Sequence, residues 1–440
     1  MNKTFYGASS RCCRLMIAVI AIYLASDSSC FGKSFAVENP MLLQKAMKEA
    51  RPGDEVVLAQ GEWLDAELRI DGEGTASAPI VVRAEVPGKT ILTGSSRVRL
   101  SGQHVIVSGL WLRNPTNSSV DWFEFRFDSK RRASYCTVTN CAFTEDTDFK
   151  PIEKESRWIG IYGEQNQLTA CRIEGKKNKG ATVVIWLGEA DKGSHKLASN
   201  YLGQRPLLGK NGGETIRIGD SESSMQSAKC LVENNLFENC DGETECISNK
   251  SCENIYLGNT FREVKGTLTL RHGNQCLVEN NVFLGNKVAQ TGGIRVIGED
   301  HRVLNNYMQD LEGDGFRSAL TIMNGYPDSK MNGYFPVKRA TIEGNTMVNC
   351  KHSLLLGYND ESKANVPPTD CVFARNSIVA RKNQSAIEVA MMPERSQFVG
   401  NRVQAEKLGM DKIDGIDILP SLDIKPPKAL TKQDVGPKWN

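Results

Sequence analysis

The sequence predicts an all-β protein, a single-domain right-handed parallel β-helix with an N-terminal capping helix. Short segments of the type Val-x-x-Asn-x-Phe recur along the chain, and the tightest intervals are 24, 22 and 25 residues between Asn235 and Asn306. The chain also contains 39 glycines and many asparagines, which favour turns and strands over helices. A period in the low twenties with short strands is typical of a solenoid of stacked coils.

The repeat defines one equivalent position per coil, held mostly by asparagine. We predict that these amides form a buried ladder of hydrogen bonds inside a turn, not a row of ligands. Leucine-rich repeats share the period, but their Leu-x-x-Leu-x-Leu pattern is absent. The position is occupied by Cys141, Cys171, Asn200, Asn235, Asn259, Asn281, Asn306, Asn345, Asn376 and Asn401. Four cysteines lie five residues before it, which predicts packed free thiols without a metal role: Cys136, Cys230, Cys276 and Cys371.

The N-terminal residues 1–36 have the layout of a signal peptide with an uncertain cleavage site, since a basic start precedes an apolar run from Leu15 to Ala25. That run is shorter than the ~20 residues of a membrane span. We therefore expect export to the periplasm or the extracellular space, with no membrane span in the mature protein. Lipid anchoring through Cys30 is disfavoured because Asp-Ser-Ser before it is a poor lipobox.

The remaining chain divides into a solenoid, residues 37–404, and a tail. Helical periodicity from Pro40 to Arg51 predicts a helix that covers the open end of the first coil, because a bare sheet end invites aggregation. The Pro- and Lys-containing residues 405–440 predict an extended tail packed along the solenoid, and we expect no second domain. The net charge of +2 offers no bulk attraction for nucleic acid, and we expect a monomer or weak homo-oligomer.

Charged residues recur on successive coils in the middle of the chain. Glu243 and Glu245 stand at i and i+2, so on an extended strand both carboxylates leave the same face. Arg271 lies 26 residues after Glu245, and Arg295 lies 24 residues further on. With Arg217 one coil earlier, these residues predict one column on an outer face, since coils stack ~4.8 Å apart. Such a column suits a groove for an acidic polymer.

The spacing leaves three interpretations of the carboxylate pair open. It could be the acid pair of a glycosidase, which needs ~5 Å or ~6.5–9.5 Å between the two carboxyl groups. It could be a site for a hard cation, because oxygen donors suit Ca²⁺. It could also be a solvated face of salt bridges. The polar Asn211 and the flanking arginines favour the cation, because a bound Ca²⁺ offsets the repulsion between the glutamates.

Four motifs, in their order and spacing, resemble polysaccharide lyase family six. They are NGGETIRIG, DGETECISNKS, GTLTLRHGN and GGIRVIGEDHRVLNNY. This family contains alginate lyases and the dermatan-cleaving chondroitinase B on a right-handed β-helix. The resemblance runs from about Glu38 to the C-terminal tail and is strongest between Asn211 and Asn306.

The resemblance implies roles for individual residues. Lys250 would be the Brønsted base and Arg271 the Brønsted acid of a β-elimination. The implied Ca²⁺ ligands are Asn211, Glu243 and Glu245. The implied substrate contacts are His272, Arg295 and Arg217.

The chemistry of the family suits these residue types. A proton leaves C5 of a uronate and the C4–O bond breaks, and Ca²⁺ on the neighbouring carboxylate withdraws charge. A lysine accepts a proton only when neutral, and the positive charges of Ca²⁺ and Arg271 favour that form. Because an arginine stays protonated, Arg271 would deliver its proton transiently or stabilise the leaving oxygen electrostatically.

We therefore predict an exported, Ca²⁺-dependent lyase acting on alginate. The motifs DGETECISNKS and GTLTLRHGN look closer to the alginate-active members, and the absence of a second β-helix domain resembles the monodomain group. Two alternatives stay open: a dermatan sulfate lyase, and a non-catalytic carbohydrate-binding β-helix that needs no lysine base. We expect the long insert before Asn345 to set substrate preference, and its Tyr334 to stack on sugars or to pack in the core.

Overall fold

The computed structural model describes residues 32–116, 121–359 and 363–439, which are almost entirely strands and turns. The strands form three long sheets, and every pairing between named strands in the described residues is parallel. A typical coil contributes one strand to each sheet, named here sheets 1, 2 and 3 in the order in which a coil enters them. The predicted parallel β-helix is confirmed.

The bounds of the strands follow in chain order. Sheet 1 contains Ser34–Val37, Glu55–Leu58, Ile80–Ala84, Val105–Ser108, Thr137–Thr139, Gln167–Thr169, Lys196–Ala198, Leu231–Glu233, Ile255–Leu257, Leu277–Glu279, Arg302–Leu304, Thr341–Glu343, Val372–Ala374 and Gln397–Val399. Sheet 2 contains Gly61–Leu64, Thr90–Thr93, Leu110–Arg113, Ala142–Thr144, Arg172–Glu174, Tyr201–Leu202, Leu236–Glu238, Thr260–Arg262, Val282–Leu284, Tyr307–Gln309, Thr346–Val348, Ser377–Val379, Asn401–Gln404 and Ile416–Ile418. Sheet 3 contains Glu67–Glu73, Arg97–Gln103, Phe123–Glu124, Ala133–Ser134, Ile159–Ile161, Val183–Ile185, Ile216–Gly219, Glu245–Lys250, Thr267–His272, Ile294–Val296, Leu320–Met323, Leu354–Tyr358 and Ile387–Val389.

The predicted asparagine ladder lies in the turn between sheets 1 and 2. The backbone N–H and the side-chain amide of Asn259 both donate to Asn281 Oδ1 at 2.9 Å. The same amide donates to Val232 O at 2.8 Å, so each asparagine joins three coils. The pattern repeats from Asn200 to Asn401. These fully buried amides satisfy the polar backbone of the turn and keep successive coils in register.

The interior is apolar and stacked coil upon coil. The rings of Phe237, Phe261 and Phe283 lie parallel, with centroids 4.6 and 4.5 Å apart. All ten cysteines among the described residues are free and buried. The prediction of packed thiols is confirmed for this part of the chain.

The helix Pro40–Glu49 covers the first coil, as predicted, and ends two residues earlier than the periodicity indicated. Asn39 caps it, because its Oδ1 accepts from the backbone N–H groups of Met41 and Leu42 at 3.1 and 3.0 Å. Leu43, Ala46 and Met47 form its buried face. One 3₁₀ turn, Gly315–Arg317, lies beside sheet 3.

The first strand of the solenoid begins inside the range predicted for the leader. Residues 34–36, assigned to the leader from sequence, belong to Ser34–Val37, which pairs in register with Glu55–Leu58. The solenoid thus begins three residues earlier than predicted. The apolar run Leu15–Ala25 and Cys30 lie outside the described residues. No helix in the described ranges is long and apolar enough to cross a membrane.

The C-terminal segment first adds the strand Ile416–Ile418 to sheet 2 and then runs back toward earlier coils. Leu430 N–H donates to Thr260 Oγ1 at 2.9 Å, and Gly436 N–H donates to Ser199 O at 2.8 Å. The indole N–H of Trp439 donates to Asn140 O at 2.8 Å. The tail therefore lies along sheet 2.

Candidate active site

The predicted charged residues lie on the outer face of four consecutive strands of sheet 3, but not in one column. Arg217 pairs with Ser248, Ser248 with Thr269, and Thr269 with Arg295. The two arginines thus stand at the ends of one row, three coils apart, with Ser248 and Thr269 between them. Glu245 and Arg271 lie on opposite sides of that row, so the prediction of a single column is wrong in register.

Unequal coil lengths explain the difference, since successive residues of the row are 31, 21 and 26 positions apart, and two irregularities in pairing add to it. The strand Glu245–Lys250 has a register shift at Cys246, and Thr267–His272 has another at Arg271, which leaves His272 opposite Lys250. A β-bulge of this kind interrupts the alternation of faces and re-aims the neighbouring side chains. Glu243 lies in the turn before its strand, not on the strand as the i, i+2 spacing suggested.

Glycines allow the two acidic segments to pack against each other. A Cβ on Gly213 would lie 2.3 Å from Gly242 O, and one on Gly242 would lie 2.2 Å from Gly213 O. The contact brings Glu243 Oε2 within 2.9 Å of Gly212 N and 3.3 Å of Gly213 N, which donate to it. The glycines of NGGE and DGE are therefore required by close backbone approach.

Buried Arg205 supports this arrangement from below. Its guanidinium donates to Glu214 O at 2.5 Å, to Gly180 O at 2.8 Å and to Gly212 O at 3.2 Å. Burial lowers its pKa to about 10, so it remains a cation. The sequence offered no signal for this role, because the carbonyl acceptors come from backbone segments separated along the chain.

Three glutamates form an acidic cluster. Burial, and then repulsion by Glu214 and Glu245, raise the pKa of Glu243 to about 7. The buried Glu214 Oε2 has no hydrogen-bond partner among the described residues. Glu214 and Asn211, which is exposed, border the same cavity.

The donors here are of the chemical type that suits a hard cation. All the groups offer oxygen atoms, and the mutual repulsion at Glu243 is the kind that a divalent ion relieves. No group of three or more His, Cys, Asp or Glu side chains that could hold a metal is found in the described part of the chain. The carboxylate of Glu245 lies toward the arginines instead, 3.8 Å from Arg271 Nε and 3.9 Å from Arg295 Nη1.

Lys250 ends its strand and borders the cavity while partly exposed. Within residues 32–116, 121–359 and 363–439, its ammonium group makes no ion pair or side-chain hydrogen bond. The nearest acidic group on its own strand, Glu245, also accepts from Ser248 Oγ at 2.5 Å. The Lys250 ammonium group is therefore available for contact with a molecule in the cavity.

Arg271 and Arg295 are covered by aromatic rings. Arg271 Cζ lies 4.3 Å from the ring centroid of Tyr334, and Arg295 Cζ lies 4.4 Å from that of Phe316. Burial lowers the pKa of Arg271, against the attraction of Glu245. Tyr334 is 8 % exposed, so its ring packs on arginine and presents little surface to a sugar.

The structure does not bring His272 to the cavity wall. It is 2 % exposed, and burial together with the charges of Arg271 and Lys250 lowers its pKa to about 3. His272 is therefore a neutral, buried neighbour of Lys250 and Arg271. Arg217 does border the cavity, with its Cζ 5.2 Å from the ring of Trp186.

The cavity has a volume of about 450 Å³ and joins these groups. Its far wall is the ion pair of Lys179 and Glu155, 3.0 Å apart, which the sequence did not indicate. Phe316 was also missed, because a 3₁₀ turn on a loop carries no periodic signal. The lining residues are Glu155, Lys179, Asn211, Gly212, Glu214, Arg217, Glu243, Thr244, Glu245, Lys250, Arg271, Arg295, Phe316 and Tyr334.

A β-helix with a lysine, an arginine and clustered carboxylates on one sheet face is an arrangement suited to polysaccharide lyases. The family model described as Chondroitinase B matches residues 37–416. The chain therefore belongs to this family, polysaccharide lyase family six.

Solved structures agree with the family. The alginate lyase AlyGC of this family is similar with a TM-score of 0.84 and 38 % identity, over 92 % of this chain and 56 % of that one. A variant of AlyGC gives a TM-score of 0.88 and 36 % identity, over 92 % and 59 %. A mannuronic acid specific family six lyase from human gut microbiota gives 0.79 and 27 %, over 93 % and 97 %. The chain thus spans less than two thirds of AlyGC. No curated protein matches the chain.

Proposed function

We propose that this protein is an alginate lyase that cleaves poly-uronate chains by Ca²⁺-assisted β-elimination. The observation that carries the proposal is one cavity in which the unpaired Lys250 and the held Arg271 stand beside the acidic cluster of Glu214, Glu243 and Glu245. A binding protein would need the groove but not a free base next to a buried cation.

Lys250 takes the C5 proton of the uronate in the cavity. Lys250 borders the same cavity as the cationic Arg271, and Glu245, the carboxylate on its own strand, is engaged by arginines. General-base catalysis of this kind contributes about 10²–10⁴-fold in rate.

Arg271 acts on the leaving oxygen. As the C4–O bond breaks, negative charge develops on the leaving oxygen, and a fixed guanidinium stabilises it electrostatically before a proton arrives. Arg217 and Arg295, in one row on either side, offer charged donors for the carboxylates of the polymer.

Asn211, Glu243 and Glu245 would hold Ca²⁺, with Glu214 adding negative charge at the same place. When bound there, the ion supplies charge withdrawal from the uronate carboxylate. The protein's own part is to hold Glu243 beside the segment that carries Glu214, which it does through the glycine contact and the carbonyl bonds of Arg205.

We propose alginate rather than dermatan sulfate as the substrate, because the similar structures at 38 % and 27 % identity are an alginate lyase and a mannuronic acid specific lyase. The family description, Chondroitinase B, keeps dermatan sulfate as the second candidate substrate. We also propose export to the periplasm or cell exterior, where such polymers are met.

The test is ultraviolet absorbance of unsaturated products, with alginate and dermatan sulfate in parallel, with CaCl₂ or a chelator. We expect a rise on alginate that the chelator abolishes and that Lys250→Ala reduces by at least about 10²-fold. Lys229→Ala is the matched control, because Lys229 is 60 % exposed and pairs with Glu253 at 3.6 Å.

Each outcome decides a different part of the proposal. A rise on dermatan sulfate alone would keep the elimination and change the substrate. Activity that persists in chelator would remove the role of Ca²⁺. No rise on either polymer, with sugar binding retained by Lys250→Ala, would show a binding protein.

A further inference from the structure

An inserted loop lies over the face of sheet 3 that carries the site. Residues 324–340 leave the strand Leu320–Met323 and return to Thr341–Glu343 in sheet 1. Gly325 and Val366 exchange backbone hydrogen bonds of 2.9 and 3.0 Å, which anchor its start. Tyr326 N–H donates to Tyr334 O at 2.8 Å and closes the loop on itself.

The tip of this loop holds the guanidinium of Arg271. Arg271 Nη1 donates to Gly333 O at 2.8 Å, and Nη2 donates to Asn332 O at 3.2 Å. The ring of Tyr334 covers the guanidinium face, with the centroid 4.3 Å from Cζ. Three consecutive loop residues, more than 60 positions along the chain, thus contact a single side chain.

Tyr334 is itself held firmly. It belongs to a hydrophobic cluster outside the main core, with Ile297, Met323 and Ala364, all buried. The ring of Tyr326 stacks on it with centroids 5.4 Å apart. Through Ile297 and Met323 the cluster packs the loop against the ends of two strands of sheet 3.

An arginine held in this way keeps its reactive geometry. A free arginine side chain samples many rotamers, and ordering it costs conformational entropy. Each Nη atom donates one hydrogen bond to a carbonyl oxygen. The second hydrogen on each Nη atom remains available for a hydrogen bond to a substrate. The ring covers one face from water, and the attraction of a cation for an aromatic face stabilises the charged form.

We propose that Tyr334, with the carbonyl groups of Asn332 and Gly333, is a positioning device that sets Arg271 for the departure of the leaving oxygen. The inference rests on the proposed function and assigns the loop a role in the rate of reaction, not in sugar stacking. Tyr334 is a positioning residue, because it acts through Arg271.

The test compares Tyr334→Leu with Tyr334→Phe. Leucine keeps apolar volume in the cluster but removes the ring face, whereas phenylalanine keeps the face. We expect Tyr334→Leu to lower kcat on alginate by about 10²-fold, the cost of a misplacement of ~1 Å, with KM changed little. Tyr334→Phe should recover kcat to within about threefold, because the attraction comes from the ring face. Ile297→Val loosens the same cluster without touching Arg271 and should leave kcat near that of the wild type.

A second readout does not depend on activity. In ¹⁵N spectra of the wild-type guanidinium groups, Arg271, assigned by loss of its signal in Arg271→Lys, should show slow rotation about Nε–Cζ. Tyr334→Leu should restore fast rotation, and Ile297→Val should not. If the wild type eliminates no uronate, the proposed function fails while this spectrum still tests the device.

Two results would overturn the inference. One is a rise in KM at unchanged kcat for Tyr334→Leu, which would indicate sugar stacking. The other is an Arg271 signal that is the same in the wild type and in Tyr334→Leu.

Discussion

The negative charge of Glu243 in the acidic cluster should destabilise the folded protein, and a bound cation should offset this effect. Glu243 is 9 % exposed, and its carboxylate accepts hydrogen bonds from Gly212 N and Gly213 N. Replacing Glu243 by Gln keeps an oxygen that accepts these hydrogen bonds and removes the charge. The variant therefore removes both the cost of burying the charge and its repulsion by Glu214 and Glu245.

The magnitude follows from the pKa of Glu243, which is raised from 4.5 to about 7 by burial and by the two neighbouring carboxylates. Because the folded state binds the proton more tightly than the unfolded state, stability falls as the pH rises from 4.5 to about 7, and the full cost applies above it. At 1.36 kcal/mol per pKa unit, the cost at pH 8 is about 3 kcal/mol at most. Glu243→Gln should gain up to that amount in chelator at about pH 8 and nothing below about pH 4.5.

The assay is thermal unfolding of wild type and Glu243→Gln at both pH values, in chelator and in CaCl₂. In chelator the variant should unfold at a temperature a few degrees higher at alkaline pH. CaCl₂ should raise the unfolding temperature of the wild type and have less effect on the variant, by the linkage of binding to stability. Glu253→Gln, at an exposed ion pair, is the control and should change stability by less than about 0.5 kcal/mol. A variant less stable than wild type in chelator at alkaline pH would refute the reasoning.

Three further predictions concern other parts of the molecule. Arg295→Gln should raise KM for alginate by about 10-fold or more, the value of a charge-assisted hydrogen bond, in initial-rate measurements. The pKa of His352 is raised by its hydrogen bond to Glu388, so its contribution to stability is present below the unfolded pKa and lost as the pH rises through the folded one. His352→Gln should accordingly lower the unfolding temperature at about pH 5.5 and have no effect at about pH 9. Asn281→Ala should cost about 3 kcal/mol or more in denaturant unfolding, because it leaves buried amide groups of Asn259 without acceptors.

The repeating part of the structure was predictable because it rests on local, periodic signals. The asparagine spacing predicted the turn ladder, and the hydrogen bonds of Asn259 and Asn281 confirm it. The buried cysteines and the capping helix followed from the same spacing and from helical periodicity. A coil contacts its neighbours about one repeat away, so the repeat length determines which residues meet.

The site was predictable in content but not in arrangement. The motifs indicated Lys250, Arg271 and the acidic pair, and one cavity contains them. The strand alternation predicted an aligned column, which the unequal coil lengths of 31, 21 and 26 residues break, with further register shifts at Cys246 and Arg271. A β-bulge adds one residue on one strand only, so it leaves no mark in a pattern of period two.

The sequence alone therefore determined the solenoid, the family and the types of reactive group. Only the tertiary structure decided how those groups are held. Arg271 is positioned by carbonyl groups of Asn332 and Gly333, and such acceptors are present at every residue and have no sequence signature. The charge of Glu243 is governed by burial and by Glu214, whose effect depends on distance in space. Periodic contacts are encoded by spacing, whereas loop contacts and electrostatic coupling arise when distant segments meet.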